Sequence, residues 1–267
     1  MTVDTTPAPL AGRRLRFASL GSGSKGNATL VSDGETHVLV DCGFGLRETE
    51  QRLARFGLHP RQLAAVLVTH EHGDHIRGVG PLARRHHLPV YLSAGTWLSR
   101  RLGEVPRHTL ITPQARFAIA GLEIDPVTVP HDAREPVQFR FHAHRRSLGI
   151  LTDLGHPSEH VIECFRGCDA LVLECNHDPR LLADGPYPPS LKRRVGGDWG
   201  HLANAQASRL LGRLGLDRLQ HIVCSHLSEQ NNRPELAREA LEPLLDGDTG
   251  RLTVAAQAHG FDWRDVA

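Results

Sequence analysis

Thr69-His70-Glu71-His72-Gly73-Asp74-His75 follows directly on the apolar run Ala64-Ala65-Val66-Leu67-Val68. The run is short and β-prone, so a buried strand is predicted over Ala64–Val68. A strand end holds the next loop rigidly, and the loop's side chains can then converge on one point. Imidazole nitrogen and carboxylate oxygen suit zinc and related divalent ions. Three histidines and an acid within six residues therefore read as a metal-binding loop rather than a polar turn rich in His.

Working outward, the same alternation of strand and helix repeats. Strands are predicted over Arg14–Leu20, Ala28–Ser32 and His37–Val40, with a turn at Asp33-Gly34. Helical periodicity over Leu46–Phe56 stops at Gly57. After the loop come helices over Ile76–His86 and Thr96–Leu102 around a strand Val90–Leu92. The middle is β-rich, with strands over Arg116–Ile119, Leu122–Val129, Val137–His144 and Ser147–Thr152. Helices over Glu159–Arg166, Leu202–Leu214 and Pro234–Leu245 then alternate with strands over Ala170–Glu174, His221–Cys224 and Leu252–Ala255. Two mixed halves of this kind imply an α/β sandwich, with sheets inside and helices outside. Residues 184–200, rich in Gly and Pro, form the longest irregular stretch and a candidate flap. Residues 1–13 are expected to be a disordered lead-in and 14–267 a single domain.

The bulk numbers bound the function. A chain of 267 residues buries a core without disulfide staples. Net charge is +1, so any nucleic-acid surface must be a local patch. Lys25 and Lys192 are the only lysines among 31 basic residues, and the other 29 are arginine, which pairs well with phosphate. The five cysteines, Cys42, Cys164, Cys168, Cys175 and Cys224, form no C-x-x-C pair and read as buried thiols in a reducing, cytoplasmic setting. The N-terminus is polar rather than signal-like, and no apolar run approaches ~18 residues, so no membrane span is expected. Of the 18 histidines, His86, His87, His108, His142, His144, His156 and His160 sit among polar neighbours and are expected to be solvated.

Further polar residues stand at predicted strand ends. Asp41 closes His37–Val40, and His131 follows a strand at the Pro-marked turn Val129-Pro130-His131, unlike its rivals His142 and His144. Asp153 ends Gly149-Ile150-Leu151-Thr152, or else simply starts the turn Asp153-Leu154-Gly155. His226 follows His221–Cys224. With His70–His75 these residues resemble, in order, the five motifs of the metallo-β-lactamase fold superfamily, a match running from about Arg14 to the C-terminus. The resemblance implies an αββα sandwich and two divalent metal ions, zinc or manganese. One ion would take His70, His72, His131 and Asp153; the other Asp74, His75, Asp153 and His226; Asp41 would brace the loop. It also implies a metal-bridged hydroxide as nucleophile, with Asp74 orienting the water or taking its proton.

The superfamily cleaves lactams, thioesters and phosphodiesters, so the fold does not choose the substrate. Glu174, at the end of Ala170–Glu174, and His201, expected to open the helix over Leu202–Leu214, resemble the acid and histidine of its nuclease branch, which includes RNase Z and the β-CASP enzymes. There the extra histidine assists a poor leaving alkoxide. The alternative reading of His201 is a surface residue at a helix start. Gly21–Asn27, Asp41-Cys42-Gly43, Glu174-Cys175-Asn176-His177-Asp178, Gly200-His201-Leu202-Ala203-Asn204 and His226-Leu227-Ser228-Glu229-Gln230-Asn231-Asn232 are similar to the YycJ (WalJ) group, described as 5′→3′ exonucleases acting on DNA. Ala203 departs from the usual Ser of that motif and puts one hydroxyl contact in question, not the His; neighbouring Asn204 is a candidate substrate contact.

The implied partner is nucleic acid, DNA over RNA; the oligomeric state is not readable. Lys192-Arg193-Arg194 beside Trp199 suits a single strand, or equally a solvated loop. Ser22, Ser24 and Asn27 form either a receptor for a terminal phosphate or an ordinary Gly-rich turn. The competing functions are a small-molecule (cyclic) phosphodiesterase, an RNase, and a non-catalytic metal-binding regulator.

Overall fold

The computed structural model describes residues 13–267, and residues 1–12 of the expected lead-in lie outside the described residues. The strands in chain order are β1 Leu15–Gly21, β2 Ala28–Ser32, β3 His37–Val40, β4 Leu63–Leu67, β5 Val90–Ser93, β6 His108–Ile111, β7 Phe117–Ile119, β8 Leu122–Thr128, β9 Val137–Ala143, β10 Arg146–Leu151, β11 Ala170–Glu174, β12 His221–Ser225, β13 Leu252–Val254 and β14 Phe261–Val266. They form two seven-stranded sheets, ordered β14-β1-β2-β3-β4-β5-β6 and β13-β12-β11-β10-β9-β8-β7. β1, β2 and β3 pair antiparallel, and β3 through β6 pair parallel. The second sheet repeats this plan, with β7 to β10 antiparallel and β10 to β13 parallel.

Strand alternation explains the layers. In β3 and β4, Val38, Val40, Ala65 and Leu67 enter the core between the sheets, while Leu39, Val66 and Val68 enter a separate core under the first-half helices. In β11 and β12, Ala170, Val172 and Val223 face inward, while Leu171, Leu173, Ile222 and Cys224 meet the helices of the second half. Period-two side chains that are apolar on both faces require a cover on both faces. The result is the αββα sandwich expected from the sequence. Each fully buried Leu, Val or Phe contributes about 1.5–3 kcal/mol relative to exposure, and Phe17, Phe139, Phe141 and Phe165 are among those fully buried.

Several local expectations are corrected. The helix expected over Ile76–His86 is broken: Gly73–Ile76 forms one turn and Val79–His86 restarts the helix. The Gly78 N–H donates to the Cys42 carbonyl (2.7 Å), and a Cβ at 78 would stand 2.1 Å from the Phe44 carbonyl oxygen, so the chain must close here on the Cys42–Phe44 segment. Residues 184–200 are not irregular throughout, since Pro189–Val195 is helical with Pro at its start. The helix expected from Leu202 begins at Asn204, behind the extended N-cap Ala203, so His201 lies ahead of the helix rather than opening it. The strands β6 and β14 were not foreseen. β6 is an exposed edge, and β14 returns the C-terminus to the N-terminal half by pairing antiparallel with β1. His86 and His142 are not simply solvated, because their Nε2 atoms meet Glu50 and Asp125, each at 2.7 Å. Among the described residues no helix is long and apolar enough to cross a membrane.

Candidate metal centre

The candidate site residues gather beyond the carboxyl ends of strands, with Asp74 and His75 carried on the short helical turn Gly73–Ile76. Asp41 follows β3, His70 follows β4, His131 follows β8, Asp153 follows β10, Glu174 ends β11 and His226 follows β12. This is where open α/β sheets present their functional groups. Asp41 and His226 have left-handed backbones, φ 62° and 54°, immediately after their strands. Non-glycine residues rarely adopt that region. Here it turns the chain sharply, with both side chains directed into the site.

Asp41 organises the loop. Its Oδ1 accepts from the Thr69 N–H and its Oδ2 from the Thr69 hydroxyl, both at 2.8 Å, and Oδ2 also meets His75 Nδ1 at 2.7 Å. Thr69 Oγ1 lies 2.9 Å from His70 Nδ1, and the Gly200 carbonyl lies 3.0 Å from His131 Nδ1. With Nδ1 engaged on these three rings, their Nε2 atoms are left for the interior. This is the outer-shell arrangement that orients metal-binding histidines. His72 is reversed, with Nδ1 inward at 3.2 Å from His131 Nε2.

The geometry fits metal ions. Ligand atoms of His70, His72 and His131 lie within 4.8 Å of one another, as do those of Asp74, His75 and His226, and those of His70, His75 and Asp153. His70 Nε2 and Asp153 Oδ2 are buried with no hydrogen-bond partner among the described residues. Orphaned buried polar atoms are rare and costly, and two of them facing one point mark a place for a cation. No cysteine joins these groups among the described residues, and burial pushes the Cys42 thiol up to about 12.

Electrostatics favour the same cation. Burial alone would raise the Asp153 carboxyl, but His226, His75 and His70 hold it well below the usual range. Burial likewise opposes the charge on Asp74, yet His75 and His226 bring it to about 2. Burial, reinforced by His75, drives His70 well below its ordinary value. His75 behaves oppositely: burial pulls it down, but Asp153, Asp74 and Asp41 raise it to about 9. Metal ligands must shed their protons, so cations would displace those held on His75.

Glu174 is fully buried and shared. Its Oε1 lies 2.7 Å from His201 Nδ1 and 3.0 Å from His226 Nδ1. Its Oε2 accepts from the Leu154 and Leu202 N–H groups at 2.9 and 3.1 Å. His201, held by Nδ1, lines a cavity of about 620 Å³ together with Asp74, Asp153 and His226.

The predicted substrate contacts divide. Ser24 and Arg194 line this cavity. Ser22 and Asn27 are buried bracing residues: Ser22 Oγ donates to Asn27 Oδ1 (3.2 Å) and accepts from the His226 N–H (2.8 Å). Asn204 is buried in a reciprocal pair with Asn232, both bonds 2.9 Å. Lys192 and Arg193 face a different groove, and Trp199 is 61% exposed against the His156 ring edge. Arg101, Asp132, Tyr187, Asn176 and Ser228 line the cavity and were not foreseen. Arg101 sits in an arginine-rich surface sequence with no local signal; Asp132, next to His131, holds the Arg194 guanidinium.

Two further expectations follow from this packing. At Gly43 a Cβ would stand 1.8 Å from the Asp74 carbonyl oxygen and 2.7 Å from the Asn27 nitrogen, all backbone. Gly43→Ala is therefore expected to destabilise by about 1–3 kcal/mol or more and to lower bound metal, read by thermal melting and elemental analysis. His177, behind Glu174, is pulled by burial from 6.5 to about 4. It is neutral in the fold, so its contribution is present above pH 6.5 and is lost as pH falls toward 4. His177→Gln should flatten this acid limb, removing on the order of 3 kcal/mol of pH dependence, read as Tm against pH.

Comparison with known proteins adds family context. A model of the beta-lactamase superfamily domain matches residues 36–226. The chain is 36% identical over 252 residues to the exodeoxyribonuclease YycJ of Bacillus anthracis, covering 93% of this chain and 96% of that protein. It is 33% identical over 243 residues to the exodeoxyribonuclease WalJ of Streptococcus pneumoniae serotype 2 (strain D39), covering 88% and 90%. In fold it resembles the metallo-β-lactamase fold protein YhfI from Bacillus subtilis, with TM-score 0.75 and 17% identity over 94% of this chain and 99% of that one.

Proposed function

Because the chain belongs to the beta-lactamase superfamily, as a metallo-β-lactamase-fold hydrolase in the group of the YycJ and WalJ exodeoxyribonucleases, we propose that it removes nucleotides from the 5′ end of DNA by phosphodiester hydrolysis. The observation that carries this reading is the buried Glu174 carboxylate, which presents His201 to the cavity beside the metal-ligand cluster. Hydrolysis of a thioester, whose thiolate leaves without a proton, gives that histidine no evident task. A phosphodiester does, because its leaving alkoxide must gain a proton.

Two divalent cations, zinc or manganese, are part of the proposal. His70, His72 and His131 would hold one, Asp74, His75 and His226 the other, and Asp153 would serve both. When bound, such a pair lowers the pKa of water to about 7 and offsets phosphate charge.

The chain's own residues supply the rest. Arg101 on the cavity wall attracts the phosphate, while Arg194 is held there by Asp132. Asp74, ionised and facing the cavity, orients the attacking water and takes the proton that the water releases. The water oxygen bonds to phosphorus as the P–O3′ bond breaks, and His201 Nε2 gives its proton to the departing 3′ oxygen. Glu174 holds the ring of His201 through Nδ1, which leaves Nε2 toward the cavity. The remaining strand keeps a 5′ phosphate.

The test uses metal-reconstituted protein with DNA and RNA strands of one sequence, labelled at either end. Labelled mononucleotide is expected first from the 5′ label on DNA. Absence of strand cleavage with metal bound overturns the reading. Preference for RNA would make the enzyme a ribonuclease, and rapid turnover of a cyclic nucleotide alone a small-molecule phosphodiesterase.

A further inference from the structure

The helix Pro189–Val195 is a wall between two grooves. Leu191, Arg194 and Val195 line the cavity of the metal centre. Lys192, Arg193 and Gly196 line a second groove, of about 730 Å³, on the other side. Its floor is apolar, with Pro179, Leu182 and Ala203, and its cations are Lys192, Arg193 and Arg209. Among the described residues no carboxylate lines it. Nearby arginines are neutralised, Arg194 by Asp132 and Arg213 by Glu159, whereas Arg193 and Arg209 form no ion pair among the described residues.

One buried group points the same way. His177 is 3% exposed and lines this groove. Its Nδ1 is buried without a partner among the described residues, and a Cβ at Gly196 would stand 4.0 Å from its Nε2. A buried orphan N–H is less tolerated than a bare acceptor. The proton therefore belongs on Nε2, which makes this atom a donor toward the groove.

We propose that this second groove binds a nucleotide of the DNA strand away from the scissile bond, with its base on the apolar floor, its phosphate between Arg193 and Arg209, and an oxygen accepting from His177 Nε2. The proposal rests on the nucleic-acid reading above. Unpaired cations beside an apolar platform suit single strands, which offer a charged backbone and flat base faces. The strand would cross the helix Pro189–Val195 from one groove to the other.

The test is binding rather than turnover. Metal-loaded full-length protein is titrated into fluorescent phosphorothioate-linked deoxynucleotides of two and twelve units, at several salt concentrations. Two variants are compared with wild type: Arg193→Ala with Arg209→Ala, and Gly196→Leu. Position 196 has φ −87°, open to any residue, and a side chain there fills the groove after a small shift of the Leu182 methyl, 3.3 Å from the added Cβ. Both variants should weaken binding of the twelve-unit strand about tenfold and bind the two-unit strand with a much smaller change. In the arginine variant the slope of log Kd against log salt should flatten by about 0.7, for the one phosphate held between the two arginines on a single strand. Unchanged affinity and slope in the arginine variant overturn the proposal. So does a loss confined to that variant, because charge alone, without the groove, would explain it. Failure of the nuclease reading shows separately, as absence of strand cleavage by metal-loaded wild type, and leaves this binding comparison intact.

Discussion

Replacing His201 by Ala is expected to lower kcat on DNA by about 10²–10⁴-fold, the usual span of general acid catalysis, with bound metal unchanged. His201 meets Glu174 Oε1 through Nδ1 at 2.7 Å and lines the cavity. A proton lost from its Nε2 matters in proportion to the basicity of the leaving oxygen. The loss should therefore be steep on DNA, whose 3′ alkoxide is a poor leaving group, and slight on a p-nitrophenyl diester. Equal losses on the two substrates would show that His201 positions the phosphate instead. Metal content by elemental analysis and kcat measured separately from KM make the distinction.

The largest stability effect is expected at Asp41. Asp41→Ala removes the shared acceptor of the Thr69 N–H, the Thr69 hydroxyl and His75 Nδ1, all buried. Leaving these groups without a partner costs about 3–5 kcal/mol, and a left-handed backbone at φ 62° suits Ala less well than Asp. In a chain of this size that is a fall in Tm of roughly 6–20 °C. Metal affinity should drop about 10–100-fold, as for other outer-shell partners of metal-binding histidines. Asp41→Asn should fall between the two, since its amide oxygen still accepts from the Thr69 N–H while its NH₂ faces His75. Wild-type Tm and metal affinity in Asp41→Ala would remove this carboxylate from its bracing role.

How far the site could be read depended on how local its causes were. His70, His72, Asp74 and His75 stand within six residues behind one apolar strand, so their shared direction is written in strand geometry. His131, Asp153, Glu174 and His226 are far apart in sequence, but each follows an apolar run that ends at the same side of a sheet. Ser22, Asn27 and Asn204 looked like ligands of a substrate because they are polar in a glycine-rich turn and a helix start. They are instead consumed by bonds to each other, His226 and Asn232. Their partners lie up to 204 residues away, and no local pattern records a partner at that distance.

The sequence by itself determined the two-sided apolar strands, hence the αββα sandwich, and the strand-end positions of the metal-centre residues. Those features follow from side-chain alternation and burial, which are local. Only the tertiary structure decided which polar side chains remain free. It placed Glu174 under both His201 and His226, brought Arg101 to the cavity, and set Arg194 and Arg193 on opposite sides of one helix. The reason is physical: a hydrogen bond or an ion pair depends on where two distant elements meet, and that meeting is fixed by the packing of the whole sandwich rather than by any one segment.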